Sequence, residues 1–396
     1  MAAPRTLLQD AEAALGQGGF GEARGRLDEL DRSVLLRLSR DDSRLEQLRP
    51  YVFYRRALLA RLRARGVRVG PELLRALFAA GSPRLILLVT HACQLRCAYC
   101  RVRRYPGRMS PQTAEAGIRW LLGGLRREVE LQFFGGEPLL AFDVVRRAAS
   151  LAARLAARAG KTARFLLTTN GLSLPDAALD FFREQGFRLE FSCDGDYSTQ
   201  LRQRRAAGGR DYYARLARNL ERLRGAGVDY QVIAVLTPEN VGRVEEEFRY
   251  LAGLGHRRIQ LNYALGRFWN ARQEAALFAG MRRVSELAGE LGVEFINSSS
   301  QRREPVVLNS ELTVDCDGEV FRETGVCLEE DFRGMKSRFL VTRLGDAGLF
   351  DAHASTQFDN LALLVGAYGR GRLRRILLNN LDLGLRFDRR PPWEDA

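Results

Sequence analysis

Lysine is almost absent from this chain: two, at positions 161 and 336, among 62 basic residues. The formal charge of +14 is therefore carried by arginine. Such an excess permits an acidic peptide or nucleic-acid partner. It is equally met by arginines scattered over solvated helix faces, and no dedicated RNA-binding module is legible. Cysteine is scarce too, six in 396 residues, three of them within eight positions. That is too few and too clustered for a disulfide framework. No apolar run approaches the ~20 residues that cross a bilayer. The strand-like run Leu85-Ile86-Leu87-Leu88-Val89 is a quarter of that. The N-terminus Met1-Ala2-Ala3-Pro4-Arg5 leads straight into an amphipathic pattern without a signal-peptide core. These absences predict a cytoplasmic chain with no membrane partner. At 46% hydrophobic and 28% charged residues, its composition is that of a globular protein with more than one domain.

What is present changes character twice. Residues 1–80 read as helices: Leu7, Leu8, Ala11, Ala14 and Leu15 recur at helical spacing, break at Gly16–Gly21, and resume with Ala23, Leu27 and Leu30. Further helices are expected from about Asp42 to Arg65 and from Pro71 to Ala80, the latter with proline in its first turn. One helix–turn–helix unit cannot bury its own face, so this region is expected to pack as a cap on the main domain. Within 81–296, short β-branched or aromatic strands alternate with amphipathic helices six times. The strands are Leu85–Val89, Val129–Phe134, Ala163–Thr168, Arg188–Ser192, Tyr230–Leu236 and Arg258–Asn262. Helices are expected near 111–126, 141–159, 176–185, 210–225, 240–253 and 271–291. That alternation predicts an α/β fold on a parallel sheet, a partial (βα)6 barrel.

Polar, glycine-rich or metal-binding residues stand at every strand's carboxyl end, where α/β folds bind ligands. The first is Thr90-His91-Ala92-Cys93-Gln94-Leu95-Arg96-Cys97-Ala98-Tyr99-Cys100. Thiolates select iron–sulfur clusters, zinc or copper(I). With no fourth cysteine nearby, two readings stand: His91 completes a tetrahedral zinc site, or three cysteines hold a cluster with one iron open. The others are Gly135-Gly136-Glu137-Pro138, Thr169-Asn170-Gly171, Cys193-Asp194-Gly195, Thr237-Pro238-Glu239-Asn240 and Asn262-Tyr263.

The Cys-x3-Cys-x2-Cys loop, with Tyr99 before its last cysteine, resembles the signature of the radical SAM superfamily. Gly135-Gly136-Glu137-Pro138 is similar to that family's Gly-Gly-Glu-Pro motif. Phe133–Leu140 resembles the subgroup that modifies peptides and proteins, including anaerobic sulfatase-maturating enzymes. Leu166–Gly171 and Phe191–Gly195 continue the likeness. By this resemblance Cys93, Cys97 and Cys100 are the ligands of one [4Fe-4S] cluster, whose open iron chelates S-adenosylmethionine (SAM). Tyr99, Gly135, Gly136, Glu137, Pro138 and Asn170 line the cofactor site, with the Gly-Gly-Glu-Pro loop on the methionyl amine. Ser192 and Asp194 face the ribose or methionyl part, and Arg204, ten residues past Asp194, the methionyl carboxylate. Relatives have His-Asp near that arginine where this chain has Gln200-Leu201. Cys193 is read as a small buried hydrophobe.

The C-terminal part departs from the pattern. Glu311–Arg322 reads as a β-hairpin with Asp317-Gly318 at its turn, and 297–350 resembles the SPASM/twitch-like region of peptide-modifying relatives. Where they carry an auxiliary-cluster cysteine this chain has Glu323, and only Cys316 and Cys327 remain. Auxiliary clusters are therefore not expected. Residues 351–396 read as a helical tail, with Leu361–Val365, Leu373, Ile376, Leu377 and Leu378 apolar and Pro391-Pro392-Trp393 in a polar end.

The resemblance implies an oxidoreductase that reductively cleaves SAM and uses the 5′-deoxyadenosyl radical to abstract a substrate hydrogen. Its substrate would be a peptide or protein, as in a maturase of ribosomally made natural products. Its electron donor would be an external flavodoxin- or ferredoxin-type protein. RNA or small-molecule substrates, and a degenerate scaffold protein, are the alternatives; no catalytic side chain is legible.

Overall fold

In the computed structural model of the chain, residues 4–40, 54–70, 73, 76–77, 84–100, 104–124, 126–296, 306–308, 311–321, 340–346 and 371–389 are described. The first helices are α1 (Pro4–Gly16), α2 (Phe20–Arg40) and α3 (Tyr54–Ala64). Their apolar positions Leu7, Ala11, Leu27, Leu30, Leu58 and Leu62 share one buried cluster with Ile86 and Leu88 of the first strand. The expected cap is thus packed onto the sheet. Leu73, Ala76 and Leu77 are helical and buried; the rest of 71–80, and 42–53, lie outside the described residues.

All six βα units are present. Strands β1 (Arg84–Thr90), β3 (Glu128–Gly135), β4 (Thr162–Thr169), β5 (Arg188–Ser192), β7 (Asp229–Leu236) and β8 (Arg258–Tyr263) pair in parallel in that order. The short β2 (Leu95–Cys97) and β6 (Arg204–Ala206) form a separate antiparallel ladder. Helices α4 (Pro111–Gly123), α5 (Phe142–Arg158), α6 (Asp176–Glu184), α7 (Tyr197–Gln203), α8 (Tyr213–Gly225), α9 (Val244–Gly253) and α10 (Ala271–Leu291) separate them. Local chemistry sets their ends. Ser110 caps α4 by accepting from Thr113 N at 3.0 Å, with Pro111 in the first turn. Asn270 and Gln273 form a capping box on α10, which Gly292 ends at φ 62°. Val144, Val145, Ala148, Ala149, Ala152 and Ala156 give α5 its buried stripe.

Two additions lie beyond the sequence reading. A seventh parallel strand, β9 (Glu294–Ile296), extends β8. The hairpin is present as β10 (Leu312–Val314) and β11 (Glu319–Phe321), with β12 (Leu340–Arg343) antiparallel beside it. It is no separate layer, because β10 pairs in parallel with β1 and makes one ten-stranded sheet, β12-β11-β10-β1-β3-β4-β5-β7-β8-β9. The C-terminal helix α11 (Arg372–Arg389) buries Leu377, Leu381 and Leu385 with the N-terminal cluster. Among the described residues no helix is long and apolar enough to cross a membrane. Glu323, Cys327, Leu361–Val365 and Pro391–Trp393 lie outside the described residues.

Candidate active site

The sheet places its polar strand ends together, and hydrogen bonds tie them to one another. The thiol loop follows β1. Its β2 segment pairs with β6, setting Cys97 opposite Arg204 and Leu95 opposite Ala206. Ala98 N donates to Gln203 O at 2.7 Å, and Ala207 N to Gln94 O at 2.8 Å. A backbone ladder therefore brings Arg204 to the loop from more than a hundred residues away.

The Gly-Gly-Glu-Pro stretch docks on the root of that loop. Gly136 N donates to Thr90 O and Glu137 N to Ala92 O, each at 2.8 Å. A Cβ on Gly135 would lie 2.2 Å from Thr90 O, and one on Gly136 would lie 2.2 Å from Ala92 O. These glycines are required by the chain's own backbone, and Gly135 at φ +135° also by conformation. Gly136→Ala is expected to cost about 3 kcal/mol of stability, the scale of an overpacked interior, because the clashing atom is main chain. A matched urea-unfolding midpoint in wild type and variant would refute this.

Glu137 is fully buried, and its carboxylate is spent within the protein. It accepts from Thr169 Oγ1 at 2.8 Å, Asn170 N at 2.7 Å and Leu139 N at 3.0 Å, the last capping a turn that begins at Pro138. It is thus the joint between β3 and β4. Burial pushes its pKa up to about 7, against the lowering effect of these donors. The native state therefore binds this proton more tightly than the unfolded chain, whose value is near 4.5. The stabilisation is complete below 4.5 and is lost as pH rises to about 7, a change on the order of 3 kcal/mol. Without SAM, wild type should lose more urea resistance than Glu137→Gln between pH 4.5 and 7.5. Parallel profiles would count against it.

Asn170 Nδ2 lies 3.7 Å from Cys93 Sγ and 3.2 Å from Gln94 Oε1, while its Oδ1 caps Leu172 N at 2.9 Å. Cys93 Sγ also accepts from Leu95 N at 3.4 Å. Burial raises the pKa of the Cys93 and Cys97 thiols, Cys97 to about 12. On the loop's other side Asp194 is sealed in. Its Oδ1 accepts from Arg204 Nη2 at 2.8 Å, Val235 N at 3.0 Å and Tyr99 OH at 3.1 Å, and its Oδ2 from Tyr99 OH at 2.8 Å. The Arg204 guanidinium also stands over the Tyr99 ring, 5.4 Å from its centroid. Burial opposes the charge on Arg204, but Asp194, Tyr99 and Cys97 around it together raise its pKa. Its Nε is buried without a hydrogen-bond partner. Ser192 ends β5, buried beside Cys193. The Cys193 thiol is fully enclosed and raised to about 12 by burial.

His91 does not join the thiols: its Nε2 lies 2.6 Å from Asp315 Oδ1, and its ring stacks on Tyr105. Among the described residues, the three thiols are not gathered within 4.8 Å of one another. A tetrahedral zinc with Zn–S near 2.3 Å would hold them at about 3.8 Å. The three sulfurs are half-buried, with N–H donors on Cys93 Sγ.

Beneath these strand ends runs a polar row that the sequence reading missed. Gln132 Nε2 donates to Thr168 Oγ1 at 3.1 Å and Thr168 Oγ1 to Glu190 at 2.6 Å; Gln231 Nε2 donates to Gln260 Oε1 at 2.6 Å. Strand register puts these side chains on one face. The available signal was a polar residue at alternate positions of strands that are otherwise apolar, where a doubly covered parallel sheet reads as continuous apolar runs.

Residues 87–251 match the family model described as the Radical SAM superfamily. The chain carries a radical SAM domain. Such a domain takes a [4Fe-4S] cluster and SAM. Over 179 residues the chain is 31% identical to the serine-type anaerobic sulfatase-maturating enzyme of Klebsiella aerogenes, 43% of each chain. It is 28% identical over 189 residues to the AdoMet-dependent heme synthase of Oleidesulfovibrio alaskensis, 44% of each chain. The match thus spans less than half the length of these relatives. Among solved structures, native anSMEcpe with bound AdoMet and Cp18Cys peptide superposes with TM-score 0.59 at 17% identity, over 69% of this chain and 80% of that one. Streptococcus suis SuiB bound to precursor peptide SuiA gives 0.52 at 12% identity, over 80% of each. These likenesses in fold cover more of the chain than the matched segment.

Proposed function

We propose that Cys93, Cys97 and Cys100 ligate the [4Fe-4S] cluster of this radical SAM domain, and that the chain is an enzyme modifying a peptide or protein. The observation that carries the reading is the joining of three strand ends around one thiol loop. Gly135–Glu137 bonds the loop's root, Asn170 approaches Cys93 Sγ, and Arg204 is laddered to Cys97. When bound, the cluster supplies the electron that splits SAM into methionine and a 5′-deoxyadenosyl radical, which takes a substrate hydrogen.

The chain's own residues bind and shield. Gly135 and Gly136 hold the backbone of their loop tight against the root of the thiol loop, and the resemblance puts this stretch at the methionyl amine. Glu137 acts as a positioning residue, since its oxygens already serve Thr169 and Asn170. Arg204 is a buried cation at the loop; its unpartnered Nε and the Tyr99 ring beneath it suit the methionyl carboxylate region. Ser192 and Asp194 complete that wall, Asp194 by fixing Arg204 and Tyr99. The cap and α11 cover apolar residues of the sheet and keep water from its inner side.

A peptide or protein substrate is supported by the 31% identity to a sulfatase-maturating enzyme. Arginines paired on helix faces, such as Arg119 with Glu115 and Arg249 with Glu245, support dispersed charge rather than a nucleic-acid footprint. After anaerobic reconstitution with iron, sulfide and a low-potential reductant, the wild-type chain should convert SAM to 5′-deoxyadenosine. With a deuterated peptide encoded beside its gene, deuterium should reach that product. Absence of SAM cleavage would overturn the enzyme reading; cleavage with transfer only from RNA or a metabolite would overturn the peptide reading.

A further inference from the structure

His91, Asp315 and Cys316 form a second constellation, joined from β1's end and the hairpin across 224 residues of chain. Ring nitrogen, carboxylate oxygen and thiol sulfur all lie within 4.8 Å of one another, and among the described residues no other trio of His, Cys, Asp or Glu does so. His91 and Asp315 are each 1% exposed. The trio is held by the surrounding backbone. His91 N donates to Gly107 O at 3.0 Å, and Asp315 N to Glu319 O at 2.9 Å inside the hairpin. Asp315 Oδ1 accepts from Cys316 N at 2.7 Å, and Cys316 Sγ donates to Leu88 O at 3.1 Å.

We propose that these three side chains bind one divalent cation of the zinc class, distinct from the centre held by Cys93, Cys97 and Cys100. The donor set selects the metal. Calcium and magnesium take oxygen ligands, whereas nitrogen, oxygen and sulfur together suit zinc. Zinc–ligand bonds of 2.0–2.3 Å in a tetrahedron place the donor atoms about 3.3–3.6 Å apart. The His91–Asp315 pair, at 2.6 Å, must open by about 0.7 Å to admit the ion, and no other donor pair must close by more than about 1.5 Å. Binding exchanges the Cys316 hydrogen bond to Leu88 O for a metal–thiolate bond, and its proton leaves to solvent. Three protein ligands leave a fourth position for water. The metal would fasten the hairpin to the root of the thiol loop.

The test uses the full chain with Cys93, Cys97 and Cys100 all changed to alanine, titrated with Co(II). One equivalent should bind with tetrahedral visible bands and a sulfur-to-cobalt charge-transfer band. Asp315→Asn and Cys316→Ser on that background should each lose the charge-transfer band or the stoichiometric uptake. As a second measurement, the reconstituted protein with its loop intact should retain one zinc beside its iron, and Cys316→Ser should not. A triple variant with wild-type circular dichroism but no cobalt uptake would overturn the proposal. So would zinc that survives Cys316→Ser in the loop-intact protein, since that zinc sits among the loop thiols. Neither result touches the iron content or SAM cleavage on which the enzyme reading stands.

Discussion

Cys97→Ala, reconstituted anaerobically, should hold no four-iron cluster and form 5′-deoxyadenosine only at background. Two remaining thiols, Cys93 and Cys100, do not hold such a cluster. Cys97 sits at the centre of the assignment: it ends β2, faces Arg204 across the ladder, and is flanked in the chain by the loop's other two cysteines. The backbone bonds that fix this ladder do not involve the thiol, so the alanine variant should keep wild-type circular dichroism. Cys193→Ala is the matched control. Its thiol is just as hard to ionise but lies fully enclosed, with Gly195 O its hydrogen-bond acceptor at 3.8 Å. It should cost some packing and leave iron content and SAM cleavage unchanged. Equal SAM cleavage by Cys97→Ala and wild type would sink the ligand assignment, whatever the iron content of either.

The six βα units were legible because each strand is five to eight residues of apolar or β-branched chain and each helix carries a long enough stripe to show its period. The strand ends were legible by residue type. What each side chain does there was not, because hydrogen-bond partners come from other strands. Glu137 reads as an acceptor facing a ligand, yet its oxygens serve Thr169 and Asn170 at the end of β4. By resemblance Gly135 and Gly136 stand at the cofactor, yet the atoms that need the room at them are Thr90 O and Ala92 O. The three-residue strands β2, β6 and β9 are too short to show any period, and β10's parallel pairing with β1 joins segments more than two hundred residues apart. The ten-residue count from Asp194 points to Arg204, with Arg202 and Arg205 close by in the chain. The structure adds why that arginine differs: it alone of the three is buried, with Asp194 as its ion-pair partner.

That pair should behave as a unit under mutation. Arg204 and Asp194 have side chains 7% and 0% exposed, so replacing Arg204 by methionine strands a buried carboxylate whose other partners, Tyr99 OH and Val235 N, are neutral. Breaking a buried pair in this way typically costs about 3–5 kcal/mol. Asp194→Asn should cost less, because the amide oxygen still faces Arg204 Nη2 and Val235 N, although one charge is left unmatched. The double variant, which combines Asp194→Asn with Arg204→Met, should lose clearly less than the sum of the singles, with a coupling of up to about 3 kcal/mol. The exposed pair Arg283–Glu286 sets the scale for comparison: one helical turn apart and about 40% exposed, it is screened by solvent and should show no measurable coupling. Urea unfolding of the four members of each cycle measures both numbers. Additive losses at Arg204 and Asp194 would mean that the two charges are solvated in the folded chain. The wall that holds Tyr99 against the loop would then be far looser than its geometry requires.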